Sequence, residues 1–305
     1  MPAIQDVYPS RVSEKPAILD RQDPVVYSQK PPTRGLTTEQ ARSYEQNGFL
    51  AVPNFFSLDE VGAFKKELRR LANSEDIKNA RESITEKNSG AVRSVFRVHA
   101  ISEFFSRLCR DERLLDIVQY LLNDNVYIHQ SRINYKPGFE GQGFYWHSDF
   151  ETWHVEDGMP RMRCISCSIS LTENNEFNGP LMLIPGSQNY FVSCIGKTPE
   201  GHYRDSLKEQ EIGVPDKESM EVLTSKGGLE QATAPAGSVL FFECNAMHGS
   251  ASNISPFPRS NVFFVYNAMS NAVVEPFCGL RPRPEFIATR ENIEPLKAIN
   301  KHWLG

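Results

Sequence analysis

Near residue 126 the apolar period of this chain changes, and that change limits the folds open to it. Before it, apolar residues recur at three and four: Val61, Phe64, Leu68 and Leu71, then Phe104, Phe105, Leu108, Leu114, Leu115, Val118, Leu121 and Leu122 over roughly 101–122. That is helical spacing, and Thr37-x-x-Gln40 and Ser57-x-x-Glu60 both fit the capping box that starts a helix. From Val126 to Lys136 the period is two, with Gln130, Arg132, Asn134 and Lys136 on one face and Tyr127, His129, Ser131, Ile133 and Tyr135 on the other. The polar face suits either solvent or a ligand. Further strands are expected at 143–150, 163–171, 180–184, 238–244 and 261–268, divided by Gly, Pro, Asn and Asp. Helices followed by many short strands predict a mainly β protein with flanking helices, built as an antiparallel sandwich or barrel.

The remaining segments carry less pattern. Residues 1–36 are rich in Pro and polar residues, which predicts an extended arm rather than a packed element, and 196–230 reads as a long connection or insertion. With 33 Lys and Arg against 38 Asp and Glu there is no basic stripe, so nucleic acid is not an expected partner. No apolar run is long enough for a membrane span, and the first residues lack the charged and apolar regions of a signal peptide, so a cytoplasmic location is expected. Six scattered cysteines suit buried thiols. Cys164 and Cys167 lie an odd step apart on an expected strand, which puts their sulfurs on opposite faces.

The densest chemistry lies between Phe144 and Pro160. On a strand, His147 and Asp149 share a face, so an imidazole and a carboxylate could reach one ion. In a chain with seven histidines, His-x-Asp alone is not diagnostic. A third ligand is offered by His248, in a polar turn after the apolar strand Val239 to Phe242. Iron(II) held by two His and one carboxylate keeps three open positions, and 2-oxoglutarate fills two of them through its keto oxygen and adjacent carboxylate. Its far carboxylate then needs a planar, bidentate donor such as Arg259, with Ser250 and Lys136 as further donors.

The order His147-x-Asp149, Gly179-Pro-Leu-Met-Leu-Ile-Pro-Gly-Ser187, His248 and Arg259 resembles the phytanoyl-CoA dioxygenase family of iron(II)/2-oxoglutarate oxygenases. Phe144-x-Trp-His-Ser-Asp-Phe-Glu-Thr-Trp-His-x-Glu-Asp-Gly-Met-Pro160 is similar to the signature of the ectoine 5-hydroxylases within it. Asp6 to Arg11, Val92 to Phe96 and His248 to Asn261 extend the likeness over nearly the whole chain. The resemblance implies a double-stranded β-helix (jelly-roll, cupin-like) core, iron(II), 2-oxoglutarate and O2 as cofactors and co-substrates, and a homodimer. It implies metal ligands His147, Asp149 and His248, and 2-oxoglutarate contacts at Lys136, Asn134, Ser250 and Arg259. Substrate contacts are implied at Gln130, Trp153, Thr152, Phe242, Phe264 and Arg283. The implied reaction is hydroxylation of L-ectoine to 5-hydroxyectoine, in compatible-solute biosynthesis, with release of succinate and CO2. One departure is Gln188, where the wider family commonly has His.

Ectoine is a compact zwitterion with a delocalised cationic ring, so its pocket should offer an aromatic face and a donor for its carboxylate. Trp153 suits the first, and Arg283 or Arg132 the second. Three competing readings are a sister enzyme acting on another zwitterion such as proline, a zinc hydrolase, and a binding module that has lost the reaction. The expected organisation is one domain over 1–305: the arm 1–36, helical support 37–122, a barrel core of about 126–270 and a C-terminal extension 271–305.

Overall fold

The computed structural model describes residues 5–85, 92–206, 212–300 and 302–303. Parts of the arm (1–4), of the 196–230 connection (207–211) and of the C-terminal extension lie outside them. Both capping boxes form. Thr37 and Ser57 accept from the backbone of Gln40 and Glu60, whose side chains accept from the cap N–H groups in return. The second starts the helix Leu58–Ala72, whose buried face is Val61, Phe64, Leu68 and Leu71, as the spacing predicts. The helix expected over 101–122 is two helices, Glu103–Leu108 and Glu112–Leu122. Asp111 divides them because its carboxylate accepts from Arg113 N and caps the second.

Two antiparallel sheets form the jelly-roll core. Among the described residues the larger runs, in spatial order, Phe49–Val52, Val239–Glu243, Cys164–Ser170, Arg259–Ala268, Val126–Lys136, Val92–Phe96 and Ser83–Thr85. The smaller runs Glu230–Gln231, Leu181–Leu183, His248–Ser250 and Phe144–His147. One face of the larger sheet buries Ile133, Ile165, Cys167, Ile169, Phe241, Val262 and Phe264 against the helices. The other face carries the polar row from Gln130 to Lys136 towards the smaller sheet, which decides for a ligand-facing surface. Cys164 and Cys167 fall in different apolar clusters, as their odd spacing requires, and all six cysteines are free thiols.

Two expectations fail. The arm is packed: Ala17–Asp20 pairs with Tyr190–Ser193, Tyr8 is fully buried, and Ser10 and Arg11 are buried too. Composition hides this because the arm's apolar contacts, Val7, Tyr8, Leu19, Val25 and Val26, follow no regular period and are joined by polar ones such as Ser10 and Arg11. The strand expected over 143–150 stops at His147, and Asp149–Asp157 is a helix. Ser148 is its N-cap residue but gives its hydroxyl to Asn245 rather than to the helix backbone, and Gly158 ends the helix in the left-handed region at φ 76°. A Cβ at Gly158 would stand 2.1 Å from the Val274 carbonyl oxygen, so no other residue fits there. The connection 196–230 also has structure of its own, including the helix Lys217–Gly227.

Candidate active site

The strands Phe144–His147 and His248–Ser250 pair with His147 opposite His248, their ring centroids 4.3 Å apart. Each Nδ1 lies against a backbone carbonyl two residues earlier, Tyr145 O at 2.7 Å and Ala246 O at 2.9 Å. A carbonyl can only accept, so both Nδ1 atoms carry the proton and both Nε2 atoms keep a free lone pair. Asp149, the first residue of its helix, brings Oδ1 to 3.8 Å from His147 Nε2 and Oδ2 to 3.9 Å from His248 Nε2. Strand end and helix start thus converge, where a shared strand face was expected. The three ligand atoms lie within 4.8 Å of one another, all on buried residues. Burial, then the neighbouring His248, pushes His147 down to about 4, so its imidazole is neutral at pH 7, the form that binds metal. Ser166 Oγ donates to Asp149 Oδ2 at 3.3 Å. The donor set fits a divalent iron with open positions on the cavity side.

Ser148, between two of these ligands, donates to Asn245 Oδ1 at 2.9 Å. Asn245 donates in turn to Gln188 O and Tyr190 O, and its N–H donates to Glu243, which pairs with Arg21. The two ligand-bearing turns are therefore tied together. Gln188 itself donates to Glu45 O and Gln46 O, closing the end of the helix Thr38–Asn47. The departure at this position leaves the cavity untouched.

Beyond the ligands one cavity gathers almost every residue the sequence pointed to: Gln130, Asn134, Lys136, Thr152, Trp153, Phe242, Ser250, Arg259 and Arg283 line it with the triad. At one end Lys136 Nζ donates to Ser250 Oγ at 3.0 Å and Ala251 O at 2.7 Å. Arg259 sits opposite Lys136 across the strand pair and is buried, with no partner for its Nε among the described residues. Burial, then Arg259 and Arg93, lowers Lys136 to about 7; burial lowers Arg259 to about 10. Neither cation has a carboxylate partner among the described residues. Such a pair is costly to bury unless an anion joins it, and a carboxylate of 2-oxoglutarate fits. Asn134 accepts from Ser94 at 2.9 Å beside them.

At the other end Trp153 stands edge-on to His129, centroids 5.4 Å apart, and Gln130 is held by Ile287 O at 2.9 Å and by Arg132 Nη1 at 2.8 Å. Arg283 donates through Nε to Asp157 at 2.7 Å and through one Nη to the same carboxylate. Burial alone would raise Asp157, but Arg283 outweighs it and holds the acid at about 2. Phe242 meets His248 edge-on at 5.0 Å.

Phe264 is the exception. It is fully buried in the main core, beside Tyr266, and does not line the cavity. Its neighbour Phe263 does, stacked under Arg132 at 5.0 Å. Alternation along the strand was the available signal, since Arg259, Asn261 and Phe263 share parity. Sequence reasoning also missed Arg93, over the Phe144 ring at 4.6 Å, and Glu156, whose helical spacing from Asp149 was hidden by the strand assignment.

Residues 44–261 match the family model described as phytanoyl-CoA dioxygenase (PhyH). The chain is 53% identical over 299 residues to the ectoine dioxygenase of Stutzerimonas stutzeri strain A1501, covering 98% of this chain and 99% of that one. To the ectoine dioxygenase of Bordetella bronchiseptica it is 54% identical over 296 residues, 97% of this chain and 96% of that one. Crystal structures of EctD from S. alaskensis, one with bound Fe and one with 2-oxoglutarate and 5-hydroxyectoine, are similar at TM-score 0.88 and 44% identity, covering 97% of this chain and 99% of those. The carbocyclase SnoK from nogalamycin biosynthesis, 18% identical with a TM-score of 0.61 and covering 88% of this chain and 96% of that one, shares the fold.

Proposed function

The chain belongs to the phytanoyl-CoA dioxygenase family, among its ectoine dioxygenases, and from that we propose that it hydroxylates L-ectoine to 5-hydroxyectoine. One O2 is consumed and 2-oxoglutarate leaves as succinate and CO2. The observation that carries the reading is the cavity itself: a two-His-one-carboxylate set at its centre and a buried, acid-free pair of cations at one end.

Iron(II), bound by His147, Asp149 and His248, supplies the O2 activation and oxidative decarboxylation that turn a C–H bond into C–OH. The chain supplies position. Arg259, with Lys136 and Ser250, holds the far carboxylate of 2-oxoglutarate, and Asn134 borders that site. Gln130 and Thr152 orient the ectoine ring through amide and hydroxyl groups that do not titrate. Trp153 offers its aromatic face to the ring cation, and Arg283 directs its remaining Nη at the ring carboxylate. Phe242 and Phe263 wall the cavity and keep water from the reacting carbon. The whole chain acts as one catalytic domain, since both tails reach this site.

Purified protein with iron(II), 2-oxoglutarate and O2 should form 5-hydroxyectoine and succinate in equal amounts. Proline turnover without ectoine turnover would overturn the assignment of substrate, and product formed without O2 would favour a hydrolase. We also propose, on the family resemblance, a cytoplasmic homodimer; the mass found by light scattering tests the dimer. No helix among the described residues is long and apolar enough to cross a membrane.

A further inference from the structure

Asp149, Thr152, Trp153 and Glu156 are spaced at three, four and seven along the helix Asp149–Asp157, and all four line the cavity. Five cationic side chains share that lining: Arg93, Arg132, Lys136, Arg259 and Arg283. Apart from the ligand Asp149, Glu156 is the one acid on the wall among the described residues.

Its charge is not cancelled. Arg11 gives both Nε and Nη2 to Glu151, at 2.9 and 2.7 Å, and only Nη1 to Glu156 Oε1, at 2.6 Å. One guanidinium thus faces two buried carboxylates; the other cation close enough to act on Glu156, Arg283, is bound to Asp157, so two guanidiniums stand among three carboxylates. Ser10 adds a hydrogen bond to Glu151 at 2.6 Å, which leaves the surplus at Glu156. Glu156 Oε2 has no partner among the described residues, while the side chain as a whole is 4% exposed.

A zwitterion entering this cavity finds donors for its carboxylate on several sides, whereas for its cation the lining offers, beyond the ligand Asp149 and aromatic faces such as Trp153, a carboxylate only at Glu156 among the described residues. We propose that Glu156 is a substrate-recognition residue, its carboxylate receiving the delocalised ring cation of ectoine while Arg283 takes the adjacent carboxylate. The inference rests on the reaction proposed above. Arg11, a residue of the packed arm, fixes the rotamer of Glu156 and so leaves Oε2 for the substrate.

Glu156→Gln keeps the shape and the bond from Arg11 but removes the charge. The KM for ectoine should rise about 10- to 100-fold, with the KM for 2-oxoglutarate changed by no more than about twofold. Glu156→Asp should recover part of the loss. The parent enzyme gives an independent measurement: a ring carboxylate of the same size with a neutral lactam in place of the amidine should compete about tenfold or more weakly than ectoine. An unchanged ectoine KM in Glu156→Gln overturns the proposal. If that variant does not fold, equal competition by the lactam does so. If the parent does not turn over ectoine at all, the reaction fails rather than the residue.

Discussion

Buried charge is abundant at both ends of the cavity, but it is matched by opposite charge at only one. Around the helix Asp149–Asp157, Glu151 and Glu156 meet Arg11 and Asp157 meets Arg283 at its carboxylate, while His154 lies 3.0 Å from the exposed Asp6. At the opposite end Lys136 and Arg259 stand side by side with no acid between them. Glu156 is the exception at the paired end, since it shares Arg11 with Glu151; on the reading proposed above, the partner that it, Lys136 and Arg259 lack is a ligand. The partners at the paired end come from the tails. Asp6, Arg11 and Arg283 all lie outside the family-matched residues 44–261, which hold the metal ligands and the unpaired cations. On the proposed reading the shared core would carry the chemistry, and the tails would hold the helix that meets the substrate.

The centre of the site sets the scale for breaking this contrast. Asp149→Ala should lose at least about a thousandfold in turnover together with its iron, read by metal analysis of the purified protein, because two imidazoles alone leave the ion half-held. The melting temperature should change little, since no Lys or Arg among the described residues lies within salt-bridge distance of Asp149.

The two ends should then respond in opposite senses. Arg11→Met leaves two buried carboxylates without their cation and should cost about 3 to 5 kcal/mol of stability by denaturant titration. Arg259→Met removes a cation that lacks a partner until 2-oxoglutarate binds, so the ligand-free protein should be as stable as the parent or more so. Its KM for 2-oxoglutarate should rise about a hundredfold. Equal destabilisation by the two changes would erase the distinction between paired and unpaired ends.

Sequence reading reached the unpaired end more fully than the paired one, and the reason is physical. Period-two alternation places Gln130, Arg132, Asn134 and Lys136 on one face without any tertiary information. The metal set was legible because His147 and Asp149 stand in a long family signature and His248 follows in the family's order, although His-x-Asp alone is not diagnostic. The arm was not legible: Arg11 pairs with residues some 140 positions away, and no local pattern announces such a contact. Asp149 was placed on a strand because alternation up to His147 masks the helix start at Ser148. Gln130, Trp153 and Arg283 were identified through family likeness, and their settings against Ile287, His129 and Asp157 were visible only in three dimensions.

A proton count sharpens the unpaired end further. Burial, and then Arg259 and Arg93, holds Lys136 at about 7 in the ligand-free protein, against roughly 10.4 for a free lysine. Between those values the folded chain binds fewer protons than the unfolded one, so this group makes stability rise with pH across that window. Binding the 2-oxoglutarate carboxylate favours the charged amine. Proton uptake on binding is therefore expected near pH 8, measured by calorimetry in buffers of different ionisation enthalpy, and Lys136→Met should abolish it.

The smallest test separates two neighbours on one strand. Phe264 is fully buried among Ile133, Cys167 and Tyr266, whereas Phe263 faces the cavity under Arg132. Phe264→Leu should cost about 1 to 2 kcal/mol of stability and leave the ectoine KM unchanged, because the lost volume lies in the core. Phe263→Leu should do the reverse, raising the ectoine KM a few-fold at little cost in stability, since the ring it loses lines the cavity. Side chains alternate along a strand, so the two effects cannot trade places without moving the register of Arg259–Ala268 by one residue. That shift would also turn Arg259 out of the cavity, and the 2-oxoglutarate KM measured in the same two variants would report it.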